Sequence, residues 1–193
     1  MFQQLFTSIQ QKVVLTNEEL ELCKTFFIHK KLRKKQVLLQ EGDICTYNAF
    51  IEKGMLRSFT IDEKGNEHIV QFGLEGWWVS DMSSFLTGSS ATYTIEALED
   101  TELLLLTMPA REALMQKVPM FERYQRLLLQ NAYVALQARI AASLTETAEE
   151  KYTKLITTCT GIVQRVPQHM IASYLGLTPE TLSRIRKQIA QRK

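Results

Sequence analysis

Glu180, Ser183, Arg184 and Lys187 stand three and four residues apart, with Pro179 just before them. Side chains at that spacing share one face of an α-helix. Arginine donates to a guanine edge, and glutamate accepts from a cytosine amine. Such a face therefore has the chemistry of a base reader in a DNA major groove. Arg186, Arg192 and Lys193 carry charge suited to phosphates, and the start of the same helix offers free N–H donors. Residues 160–193 hold six Lys/Arg against one acid, Glu180, although the whole chain is only +2. Positive charge gathered at one end is the footprint of a phosphate-binding surface.

Other chemistries find little support. The acid pairs Glu18-Glu19 and Glu149-Glu150 fall on helical faces expected to be exposed. No Ser/His/Asp or Cys/His arrangement and no glycine-rich phosphate loop appears in a sensible context. His29, His68 and His169 fit no ligand spacing, so no metal and no cofactor is expected. Cys23, Cys45 and Cys159 are far apart and form no CxxC pair. They fit a reducing cytoplasm better than a disulfide framework. No apolar run approaches the roughly 18 residues of a membrane span, and the N-terminus does not read as a signal peptide. A cytoplasmic protein that is not an enzyme is the expectation.

The reading face needs a helix to carry it. Pro167–Lys187 reads as two short helices broken at Gly176. Pro167 can open the first, Gly176 can end it in the left-handed conformation, and Thr178 can cap the second with Pro179 as its first residue. Positions 171, 172, 175, 177, 182 and 185 are apolar or small and would pack the pair together. This is the sequence form of a helix-turn-helix, with an ordinary helical hairpin as the plainer alternative.

Upstream the pattern divides into 1–118, 119–146 and 147–193. The first thirty residues read as helical, with a capping box at Thr16–Glu19, and the basic run Lys30–Lys35 reads as a solvated surface. From about 36 to 106, short strands alternate with turn residues (37–39, 49–52, 55–61, 68–72, 92–98, 102–106), the pattern of a small antiparallel barrel or roll. Pro109 can start a short helix. Pro119 opens a long one to about Leu144, with Tyr124, Leu128, Ala132, Leu136 and Ile140 along one stripe. Those five positions are assigned to a homodimer seam, a packed core helix being the alternative. Thr145–Lys151 reads as a hinge, and Ile162–Val166 as a strand before the helix-turn-helix.

A strand roll, a long helix and a C-terminal helix-turn-helix, in that order, resemble the Crp/Fnr family of bacterial transcription regulators over nearly the whole chain. Val166–Lys187 carries most of the likeness; Arg139-Ile140-Ala141, Glu41-Gly42-Asp43 and Lys53–Arg57 echo it. The resemblance implies an α+β fold: a jelly-roll-like antiparallel β-roll with flanking helices, a long central dimerisation helix, and a C-terminal winged-helix/helix-turn-helix domain. It also implies a palindromic double-stranded DNA operator. Glu180 and Arg184 would read bases, with Thr178, Ser183 and Lys187 near phosphates or the groove edge. Few residues follow the recognition helix, so a wing after it is expected to be minimal.

The departures concern the effector. Family members that bind cyclic nucleotides carry Gly-Glu and, further on, Arg-Ser/Thr-Ala; here the second part reads Ser89-Ser90-Ala91-Thr92. Residues 65–110 hold seven acids and no Lys or Arg. A cyclic phosphate needs a cation or a nest of N–H donors to replace its hydration, so the sequence argues against one. Glu75, Trp77, Trp78 and Tyr93 are the candidate lining of a pocket for some other small molecule, or plain core. The leading expectation is a dimeric, sequence-specific regulator with an unidentified or absent effector. Two alternatives stay open: a module of this fold that binds no DNA, and a cyclic-nucleotide-responsive regulator with a non-standard pocket.

Overall fold

A computed structural model describes residues 2–192. The chain starts with two helices, α1 (Gln3–Gln10) and α2 (Asn17–Lys24). The first has no cap of its own; the Glu52 carboxylate accepts from the Gln4 and Leu5 N–H groups instead, at 3.3 and 2.8 Å. The second is closed by the capping box of Thr16 and Glu19.

Eight strands follow: β1 (Ile28–Leu32), β2 (Val37–Leu39), β3 (Tyr47–Lys53), β4 (Leu56–Ile61), β5 (Glu67–Gly73), β6 (Trp78–Val79), β7 (Thr94–Ala97) and β8 (Thr101–Thr107). They form two four-stranded antiparallel sheets, ordered β1-β8-β3-β6 and β2-β7-β4-β5. A short helix, α3 (Met82–Thr87), sits between β6 and β7. The unbroken leucines of β8 show why this strand does not alternate polar and apolar. Leu103 and Leu105 face the core between the sheets, while Leu104 and Leu106 face a second core under the helices. Between β3 and β4 the chain turns at Gly54, φ +94°, where a Cβ would lie 2.5 Å from Thr101 Oγ1, so no other residue fits.

After the roll come α4 (Met108–Lys117) and α5 (Pro119–Thr145), then α6 (Ala148–Thr158), α7 (Thr160–Arg165), α8 (Gln168–Leu175) and α9 (Pro179–Gln191). No described helix is long and apolar enough to cross a membrane. The expected strand at Ile162–Val166 is helix α7 instead. Ile162 and Val166 stand four apart and are both buried, which is a helical spacing; only Val166 itself is extended. Among the described residues no strand follows β8. The sequence pattern also passed over β1, β6 and α3. Each is short or mostly exposed, and its alternation is too brief to register.

Three cores hold the molecule. The first joins α1, α2, α4 and the start of α5 to β3 and β8; the second fills the roll between its sheets. The third lies outside the roll. Met55, Phe59, Ile69 and Phe72, on the outer face of β4 and β5, pack with Tyr152, Leu155, Ile162, Val166, Ile171, Ala172, Leu182 and Ile185 of the C-terminal helices. Fewer than fifty residues rarely bury enough apolar surface to fold alone, and here the roll supplies the missing side of the core. Replacing Phe72, 1% exposed in this shared core, by alanine should cost about 3–5 kcal/mol. Urea denaturation would measure the loss, and amide exchange should quicken in α8, α9 and β5 together.

Candidate nucleic-acid interface

The helix-turn-helix is shaped by three local devices. At the end of α8, Gly176 takes φ +69°, and the Leu177 and Gly176 N–H groups close onto the Ala172 and Ser173 carbonyls at 2.9 and 3.0 Å. This paired closure needs the left-handed residue that glycine adopts freely. Thr178 then caps α9 by accepting from the Thr181 N–H at 3.2 Å, and Pro179 occupies the first helical position. Leu182 and Ile185 are buried and Ile189 half-buried, which turns the opposite face outward.

That outward face carries the residues singled out above. Thr178, Pro179, Glu180, Ser183, Arg184, Arg186 and Lys187 are all exposed. At 3.6 residues per turn, Glu180, Ser183, Arg184 and Lys187 fall within an arc of about 100°, with Pro179 and Arg186 on its flank. Pro179, Glu180, Ser183, Arg184 and Lys187 line one shallow concavity. The Glu180 carboxyl is held below the usual glutamate range, first by its own backbone N–H and then by Thr178, so it faces outward as an anion. Arg192 behaves differently from the expectation: it pairs with Glu149 of α6 across an exposed surface. Lys193 lies outside the described residues.

The expected seam divides in two. Tyr124 is fully buried in the first core, where its hydroxyl receives the Trp78 indole N–H at 3.1 Å and meets Ser8 Oγ at 2.8 Å. Leu128 is half-buried against the same core. Tyr124 is thus a core residue of its own chain, because the first turns of α5 lie on the roll. Beyond it every residue from Asn131 to Ala141 is exposed, including Ala132, Leu136 and Ile140. Leu129, Tyr133, Leu136, Ile140 and Leu144, 44–82% exposed, continue the stripe at the three- and four-residue spacing of a helix pair.

The four effector-pocket candidates do not meet in one cavity of the described structure. Glu75 leaves the roll to bind Arg165. Trp77 is 40% exposed. Trp78 packs on Phe27 and Phe50 in the first core. Tyr93 lies against the second core with its hydroxyl donating to the Ser80 carbonyl at 2.9 Å. Only Trp78 of the four lies in a strand; the others sit in the segments beside β6 and β7, and nearness in sequence did not bring these groups together.

At the start of α3 the backbone N–H donors are already taken. Asp81, 1% exposed, caps α3 by accepting from the Ser84 N–H at 3.0 Å, and its other oxygen accepts from the Thr92 N–H and hydroxyl at 2.8 and 3.0 Å. Burial raises the carboxyl's pKa, but these bonds outweigh it and the net shift is downward. A carboxylate so placed occupies donors that an anionic ligand would need. The acids of 65–110 find their cations elsewhere. Arg57, its side chain 6% exposed, pairs with Glu96 at 3.0 Å and with Glu67, and lies 4.0 Å from the Phe59 ring centroid. Burial opposes its charge, and the two carboxylates more than restore it. Register sets Glu96 opposite Arg57, whereas Glu67 stands opposite Ile61 farther along the β4–β5 ladder and meets the guanidinium through the side chains; nothing in their spacing announces it.

A β-roll of the cyclic-nucleotide-binding type, carrying a helix-turn-helix beyond a long helix, is the class that this architecture defines. The family model for the cyclic nucleotide-binding domain matches residues 29–118. The chain is 29% identical over 185 residues to the fumarate and nitrate reduction regulatory protein of Vibrio cholerae, covering 89% of this chain and 72% of that protein. It superposes on FixK2 from Bradyrhizobium japonicum with a TM-score of 0.68 at 21% identity, over 86% and 85% of the two chains. The c-di-GMP responsive global regulator CLP of Xanthomonas campestris gives 0.73 at 11% identity, over 92% and 93%. These structural likenesses concern the fold. The matched domain and the named sequence relatives agree with the resemblance to Crp/Fnr regulators read from the sequence.

Asp81→Ala should lower stability by about 2 kcal/mol, the loss of a cap and of buried hydrogen bonds. Because the folded pKa of Asp81 is depressed, its contribution is complete above the ordinary aspartate value of about 3.9 and fades as pH falls through the lower folded value. Urea midpoints of the two proteins should therefore differ at neutral pH and converge in strong acid.

Proposed function

We propose that the protein is a dimeric, sequence-specific DNA-binding transcription regulator. The observation that carries this reading is the capped helix α9, whose outward arc is polar and free while its inner arc is buried. Arg184 donates to a guanine edge and Glu180 accepts from a cytosine amine. Thr178, Ser183, Arg186, Lys187 and the N–H groups at the start of α9 hold backbone phosphates. The relatives named as regulatory proteins support the same reading.

The outer two-thirds of α5 is the dimer seam. An unpartnered helix displaying Leu129, Tyr133, Leu136, Ile140 and Leu144 leaves a long apolar stripe in water, and a two-fold mate covers it. The seam runs from Leu129 to Leu144, about 24 Å at 1.5 Å per residue. A two-fold dimer of reading heads matches a palindrome with half-sites about one helical turn apart. An anionic effector inside the roll is disfavoured by Asp81, which supports a regulator whose effector is absent or uncharged.

Arg184→Ala should weaken binding by about 1–3 kcal/mol and relax the base preference at one position of each half-site. Lys187→Ala should weaken all sites alike and reduce the log–log salt slope by about 1. Selection from random DNA followed by salt titration measures both; enrichment of no palindrome would sink the assignment. Leu136→Glu should give monomers by light scattering, with palindrome affinity falling to that of a single half-site.

A further inference from the structure

Acids of the sheet formed by β2, β7, β4 and β5, and of the turns that follow β5 and β7, hold two arginines. One, Arg57, belongs to that sheet. The other, Arg165, comes from the last turn of α7, two residues before Pro167. Its Nη1 and Nη2 donate to Glu75 Oε2 and Oε1, both at 2.9 Å, while Nε donates to Glu99 Oε2 at 3.3 Å and Nη2 also to Glu99 Oε1. One planar fork thus engages two carboxylates on two different turns of the roll. Glu75 is itself anchored, since it accepts from the Gly54 N–H at 2.9 Å in the turn wedged against Thr101.

Further ties join the same parts. Ser173 of α8 donates to the Glu67 carbonyl and accepts from the Ile69 N–H, each at 3.0 Å. Arg139 of α5 donates to the Val70 carbonyl at 2.6 Å, with its guanidinium 4.5 Å from the Tyr174 ring centroid. Long helix, roll and reading head therefore meet in one place.

The shared apolar core and the arginine fork do different work. Apolar burial is strong but non-directional, and it lets packed helices slide or turn. A bidentate fork is directional. The Arg165, Glu75 and Glu99 side chains are 29–40% exposed, so their ion pairs add little stability. Their geometry is what matters. Resting on the reading that α9 binds DNA, we propose that Arg165 is a positioning residue for recognition. Clamped between Glu75 and Glu99, it sets the direction in which α8 and α9 leave the roll. In the dimer it thereby sets the separation of the two recognition helices.

The test uses the full chain and palindromes whose half-site spacing is varied by one and two base pairs about the preferred value. The wild type should prefer one spacing. Arg165→Ala should keep its affinity for an isolated half-site, while its advantage for the preferred spacing over its neighbours shrinks by about tenfold, because only the effective concentration of the second head has changed. Arg165→Lys, which keeps the charge without the fork, should fall between them. Glu99→Gln, which removes half of the clamp, should show the same trend and serves if Arg165→Ala does not fold. An Arg165→Ala protein that discriminates spacing like the wild type overturns the inference and leaves DNA binding intact. So does a loss that is equal at every spacing and at the isolated half-site. A wild type that selects no palindrome overturns the DNA reading and this inference with it.

Discussion

The C-terminal quarter of the molecule leans on one apolar surface, the outer face of the β4–β5 hairpin. Four side chains, Met55, Phe59, Ile69 and Phe72, close a core that four short helices cannot close among themselves. From this follow the attachment of α8 along β5 and the burial of Leu182 and Ile185, and hence the outward arc of α9. A sheet edge that would otherwise offer bare N–H groups is covered by Ser173 at Ile69. The helix-turn-helix is built on the roll rather than hung from it.

This arrangement bears on regulation. In a roll with an empty interior, a ligand could shift the sheets and so move whatever is packed outside them. Here the interior is filled by Phe85, Ile95, Leu103, Leu105 and their neighbours, and the N–H cradle near α3 holds Asp81. The acids that looked unpartnered along residues 65–110 are instead spread over the roll. Asp81 is turned into the cradle, and Glu67, Glu75, Glu96 and Glu99 face outward to bind arginines. The ion pairs of the roll lie on its outside, and the fork of Arg165 joins it to the C-terminal helices.

The long helix shows how one periodic stripe can be buried at one end and exposed at the other. Phe121 and Tyr124 belong to the first core, whereas Leu129 to Leu144 face solvent in a single chain. The three- and four-residue spacing is the same throughout. Periodicity reports that a face is apolar, not what covers it. Only the point just past Leu128, where the apolar stripe of α5 parts from the first core, separates its buried residues from its exposed ones.

Much of the fold was legible because its signals are local. Pro119, Pro167, Gly176, Thr178 and Pro179 act within a few residues through caps and φ restrictions, so the bounds of α5, α8 and α9 and the outward arc of α9 could be read from the chain. Strand alternation located most of the roll for the same reason. The strand expected at 162–166 misread two buried apolar residues whose spacing is helical. What the tertiary structure alone decided is every contact between positions far apart in sequence: Tyr124 in the core, Glu75 on Arg165, Arg57 between Glu67 and Glu96, Asp81 on Thr92. Those pairings depend on sheet register and on how one core is shared by two units. No local preference encodes either, so the polar face of α9 was set by the sequence, and its orientation by packing.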